Sequence, residues 1–221
     1  MPNRRRAFLI LAILVLLALA SFWAALAAGS IPVAATDVLA AVLGQDAPGA
    51  DIVRQLRLPR ALAGFACGGL LALAGALKQV LLRNPLADPY ILGISGGAGV
   101  GALFAIMVGL PALGIDGLAF TGALGAMLLV FGLAHGDGSW TQTRLLLTGV
   151  IVAAGCGALI SLMLAIAPED RLRGMLFWLT GDLGQTASAW PPMLALAIAL
   201  ALAMPFAREL NLLARGLLQA Q

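Results

Sequence analysis

Six apolar runs of sixteen to twenty-two residues, each closed by proline, glycine or charge, constrain this chain most: 7–28, 61–82, 90–110, 118–134, 145–166 and 191–206. At a rise of about 1.5 Å per residue, a helix of about twenty residues crosses a hydrocarbon layer of about 30 Å. Composition agrees. Hydrophobic residues make up 62% of the chain and charged ones 10%, where a soluble domain carries about 25% charge. The sequence therefore reads as an all-α fold, a polytopic transmembrane helical bundle of six spans, and a soluble domain is excluded.

The first run follows Arg4, Arg5 and Arg6, a placement that holds a helix start at the cytoplasmic face. Small residues at 25–29 also fit a cleaved secretory leader, but the run exceeds the roughly 7 to 15 residues of a leader's apolar core, so an uncleaved helix is expected. With the N-terminus cytoplasmic, Arg4, Arg5, Arg6, Lys78, Arg83, Arg144, Arg208 and Arg215 fall inside, and Arg54, Arg57, Arg60, Arg171 and Arg173 outside. Eight against five follows the positive-inside bias. Three of the five exceptions crowd into RQLRLPR, 54–60, within a polar stretch, 30–60, expected to lie outside the bilayer as a short helix and turn. An acidic partner on that side would account for them.

Other chemistry is sparse. His135 is the single histidine, which excludes an HExxH zinc site. Cys67 and Cys156 lie beside glycines in apolar runs, where a thiol packs as a small residue, and no CxxC motif occurs. Beyond the N-terminal arginines no polybasic tract offers a nucleic-acid surface. No catalytic residue, metal or cofactor is expected of this chain. With no GxxxxGK[ST] loop present, ATP hydrolysis would belong to a separate subunit. Trp23, Trp140, Trp178 and Trp190 fall near run ends as interfacial anchors, and Lys78 can reach the headgroups. Glu169, Asp170, Arg171 and Arg173 read as an exposed outer loop.

Two segments carry more. In Asn84-Pro85-Leu86-Ala87-Asp88-Pro89 the prolines fix a turn that cannot continue a helix, while Asn84 and Asp88 can cap the next helix start. The following GISGGAGVG, 93–101, opens a helix with so little bulk that backbone or ligand can come close. Gly93, Gly97 and Gly101 recur every four residues, as do Gly64 and Gly68, the small-residue face by which membrane helices pack.

These pieces together resemble the FecCD-type permeases, the transmembrane subunits of bacterial ABC importers for iron-siderophores, haem and cobalamin. The matching residues are Arg57-Leu58-Pro59-Arg60, the stretch from Gly75 to Gln79, Arg83 to Pro89, Gly93 with Ser95 to Ala98, Leu147 to Val150, Phe177 to Gly181, and Leu210 to Gly216. The resemblance implies a permease of the inner membrane that works with a second permease subunit, a cytoplasmic ABC ATPase holding ATP and magnesium, and a periplasmic substrate-binding protein. It implies docking of that binding protein on Arg57 and Arg60. A pathway and its turns would involve Asn84, Pro85, Asp88, Gly93, Ser95, Gly97, Thr148 and Gly149, with Cys156, Gly157 and Ser161 as further lining positions. Leu213, Arg215 and Gly216 would belong to ATPase coupling, with 207–221 opening the cytoplasmic coupling segment. The spans lack acidic and histidine residues, which suits passage of a preformed complex better than of a bare ion.

Members of that family carry about ten spans; six are read here, so the chain is expected to be a fragment. Two other classes compete. Gly93-Ile94-Ser95-Gly96 also matches the GxSG of rhomboid-type intramembrane proteases, with Ser95 and His135 as the pair, although His135 falls in the polar loop at 135–140. A half-permease that only packs against a full one is the other.

Overall fold

The computed structural model describes residues 4–82, 84, 90, 93–135, 141–184, 186 and 188–215. Among the described residues there is no strand, which suits a lipid setting: with no water to satisfy peptide groups, a long apolar run does so by bonding to itself as a helix. Five stretches are long and apolar enough to cross a membrane: Arg5–Ala27, Ile52–Leu81, Ala112–Ala134, Thr143–Ile166 and Trp190–Leu213. The chain divides into two compact units, Met1–Ala72 with Leu183–Phe206, and Leu73–Asp182 with Ala207–Gln221.

In the first unit, α1 (Arg4–Ala27) leads through a short connection to α2 (Ala35–Val42). A π-helix, Ile52–Arg57, then runs without a break into α3 (Leu58–Leu81), which leaves the unit after Ala72. Pro59 explains the wide turn. It has no N–H to donate to the residue four back, and the Leu58 N–H bonds to Val53 O, five back, so the ladder slips by one residue before α-helix resumes. Leu26, Val38, Ala41, Ala50 and Val53 form the buried core of this corner. Helix α8 (Trp190–Ala203) starts with Pro191 and Pro192 in its first turn, where a missing N–H costs nothing. It packs its Leu196 over Gly69 of α3. Pro205 closes it with a 3₁₀ turn, Met204–Phe206.

The second unit is built around α4 (Ile94–Met107), which packs against α5 (Ala112–Ala134), α6 (Gln142–Ile166) and α7 (Glu169–Thr180). The run read as a span at 90–110 thus holds a helix of 14 residues, about 21 Å long. It begins behind Gly93 and ends where Gly109, at φ +79°, turns the chain. Its buried face is Gly97, Gly99, Ala102, Leu103 and Ala105. Such small side chains let neighbouring backbones come close. Helix α9 (Ala207–Arg215) carries Leu210 and Leu213 on one side and Arg208 on the other.

One local expectation is corrected. Residues 169–173, read as an exposed loop, form the first turns of α7. Pro168 precedes the helix and Glu169 and Asp170 occupy its first turn, where negative charge meets the positive end of the helix dipole. Met175, completely buried, fixes the helix to the unit.

Candidate functional site

The arginine-rich corner of the first unit is built by the π-helix. Arg54 and Arg57 leave it three residues apart, each toward the C-terminal end of another helix. Arg54 donates from Nε to Ala41 O at 2.7 Å and from Nη2 to Gln45 O at 2.6 Å, with Asp46 Oδ1 3.9 Å from Nη1. Arg57 donates from Nη1 to Leu26 O at 2.8 Å and to Ala27 O at 2.9 Å, and from Nη2 to Ile31 O. The last carbonyls of a helix have no intrahelical partner and form the negative end of its dipole. A guanidinium placed there meets both needs.

Arg57 accordingly sits elsewhere than a docking residue should. It is 8% exposed, and three of its N–H donations go to backbone carbonyls inside the fold. Arg60, one turn on, is exposed and donates from Nη2 to Gly184 O at 2.6 Å. The motif's two arginines therefore differ in kind. Sequence reasoning missed Arg54 as a capping residue, and also Gly29: a Cβ there would stand 2.5 Å from Arg57 Nη2 and 2.9 Å from Cζ.

In the second unit the structure brings Gly93 and Gly149 together. Gly93 is buried with φ +70°, and a Cβ on it would lie 3.2 Å from Ala153 N and Val152 Cγ1, and 3.4 Å from Gly149 O. The start of α4 is thus pressed onto α6, with Thr148 half-buried beside it. Ser95 is exposed in the first turn of α4. Gly97 was read as a pathway residue, but it is buried at the α4–α5 crossing, where an added Cβ would meet Gly122 O and stand 2.5 Å from Ala126 Cβ. Gly101 stands likewise over Leu118 O. Gly122 and Ala126, themselves four apart on α5, are the partner face that sequence reading passed over. Beside this crossing a shallow apolar groove is lined by Val100, Thr121, Gly125, Leu129, Cys156 and Leu159 among others.

The remaining expected residues are scattered. Asn84 closes α3, its N–H donating to Gln79 O at 3.1 Å. Leu213 and Arg215 lie in α9, Leu213 exposed. Pro85, Asp88 and Gly216 lie outside the described residues. Among the described residues no group of three or more His, Cys, Asp or Glu could hold a metal ion. The protease pair also fails on register. Gly97 faces Gly122 and Ala126 across the antiparallel helices, which puts Ser95 near the level of 126–128, while His135 lies at least seven residues, about 10 Å, further along. A base must reach its serine within a hydrogen bond.

Helices of this length and composition, packed through glycine, define a multi-pass membrane protein. A sequence profile described as the FecCD transport family matches residues 13–221. The chain belongs to that family. The cobalamin import system permease protein BtuC of Halobacterium salinarum is 38% identical over 170 residues, covering 75% of this chain and 45% of the relative. The vitamin B12 import system permease protein BtuC of Klebsiella pneumoniae is 38% identical over 178 residues, covering 79% and 54%. A solved structure of a metal-chelate type ABC transporter in an inward-facing conformation superposes with a TM-score of 0.74 at 28% identity, covering 93% of this chain and 63% of that one. The chain spans about half the length of the curated relatives it matches.

Proposed function

We propose that the chain is the transmembrane permease subunit of an ABC importer of the bacterial inner membrane. It would pass a preformed metal complex, an iron chelate, haem or a cobalamin, without chemistry on the cargo. The observation that carries this reading is the family match across 13–221. Helices α3, α4, α6 and α8 add support, for none contains an acidic or histidine side chain. A bare ion would need such ligands in the membrane, whereas a complex that keeps its own ligands needs a wide, unreactive path. In this reading the N-terminus is cytoplasmic, α9 with Leu213 and Arg215, followed in sequence by Gly216, opens the contact with a separate ATPase, and a binding protein docks beside Arg60. A second permease subunit completes the pathway.

The test is co-expression of the tagged chain with an ABC ATPase and a substrate-binding protein from one import system. Co-purification and ATP-dependent uptake of labelled cobalamin and ferric siderophore are read in the same cells. Uptake is measured for the chain alone and with the C-terminal half of a relative supplied in trans. The expected result is retention of the ATPase and uptake of one cargo. Retention of neither partner and no uptake in either arrangement would overturn the reading.

A further inference from the structure

Both arginines of the RLPR segment look equivalent in sequence, and their geometry separates them. We propose that Arg57 is a positioning residue: together with Arg54 it clasps the C-terminal ends of α1 and α2, and so holds Arg60 where it can meet an acidic partner. The inference rests on the docking reading above only for what Arg60 does; the clasp stands on geometry alone.

The clasp has three independent marks. Arg57 is buried and gives three hydrogen bonds to the carbonyls of Leu26, Ala27 and Ile31, two of which are orphaned by the end of α1. Arg54 repeats the arrangement three residues earlier, on Ala41 in the last turn of α2 and on Gln45 just beyond it. Gly29 leaves the room the guanidinium fills, since any side chain there would stand on it. A lysine could not do the same work: its ammonium is one point on a flexible stem, whereas the planar guanidinium presents several donors in a fixed fork. The segment from 26 to 31 is more than twenty-five residues away in sequence, so the clasp fixes the two ends of the connection to one another. Arg60 follows one helical turn after Arg57 on the same rigid rod, and its direction is set by what Arg57 grips.

The test uses the full chain in lipid nanodiscs, with the purified binding protein of the same import system as the docking probe. Arg57→Lys and Arg60→Lys are compared by hydrogen exchange over 26–31 and by binding-protein affinity at low and high salt. Breaking charge-assisted bonds at a helix end should raise exchange over 26–31 by at least about tenfold in Arg57→Lys and leave it unchanged in Arg60→Lys. Affinity should fall in Arg57→Lys with its salt dependence intact, because the docking charge is still present. In Arg60→Gln the salt dependence should shrink. Gly29→Ala, which leaves every arginine in place, should reproduce the exchange change, and it serves as the second route if Arg57→Lys does not fold. Unchanged exchange over 26–31 in both Arg57→Lys and Gly29→Ala overturns the clasp. So does an Arg57→Gln variant whose salt dependence shrinks as that of Arg60→Gln does. If none of these variants alters binding-protein affinity while exchange over 26–31 still rises, the clasp stands and the docking reading falls.

Discussion

A methyl group added at Gly97 has nowhere to go: it would meet the Gly122 carbonyl and stand 2.5 Å from Ala126 Cβ. Because the obstacles include backbone, the two helices must part. Overpacking of this kind costs about 1 to 3 kcal/mol, so Gly97→Ala should lower the unfolding midpoint in detergent clearly. Gly125 lies on the same helix pair with nothing within 4 Å of its would-be Cβ. There alanine only removes the conformational freedom of glycine, and Gly125→Ala should raise stability by about 0.5 to 1 kcal/mol in the same measurement. Gly93 fails for another reason. Its φ of +70° costs an L-residue about 1 to 2 kcal/mol, so Gly93→Ala should destabilise, and Gly93→Asn less so, since asparagine tolerates that region. Sequence spacing identified the Gly93, Gly97 and Gly101 face, because period four on a helix is visible without a partner. It also favoured packing for that face, but it did not name Gly122 and Ala126 as the partner, because which helix lies opposite is not encoded locally.

Helix α7 shows the limit at the next scale. Its first five residues, Glu169 to Arg173, carry four charges, and a charged stretch between apolar runs reads as solvated loop. What makes it a helix is Met175, completely buried, together with Leu179, which approaches Gly99 of α4. These anchors come only after the charges end. Removing the Met175 side chain should cost about 2 to 5 kcal/mol, while Arg173→Ala on the exposed side should stay within about 0.5 kcal/mol; paired thermal unfolding of the two variants checks both. The long helices were legible by contrast, since the length of an apolar run is itself set by the bilayer. The π-helix at Ile52–Arg57 was not. Pro59 is plain in the sequence, but whether a proline ends a helix, kinks it or slips its ladder depends on what holds the turn before it. Here Arg54 and Arg57, fixed at both ends, hold it.

For the molecule as a whole, the proposed orientation is open to direct labelling. With Cys67 and Cys156 replaced, a cysteine at Gln45 should react with a membrane-impermeant maleimide in intact cells. One at Leu213 should react only after the membrane is breached; the reverse pattern would turn the topology over. The arginine-rich corner also bears on how such a chain is made. Three of the carbonyls that receive Arg54 and Arg57 are those of finished helix ends, Ala41 of α2 and Leu26 and Ala27 of α1. Until α1 has wound, Arg57 lacks the carbonyls that receive it. In the proposed orientation this stretch is exported, and the one guanidinium that the mature protein buries, that of Arg57, stays in water until the end of α1 is formed.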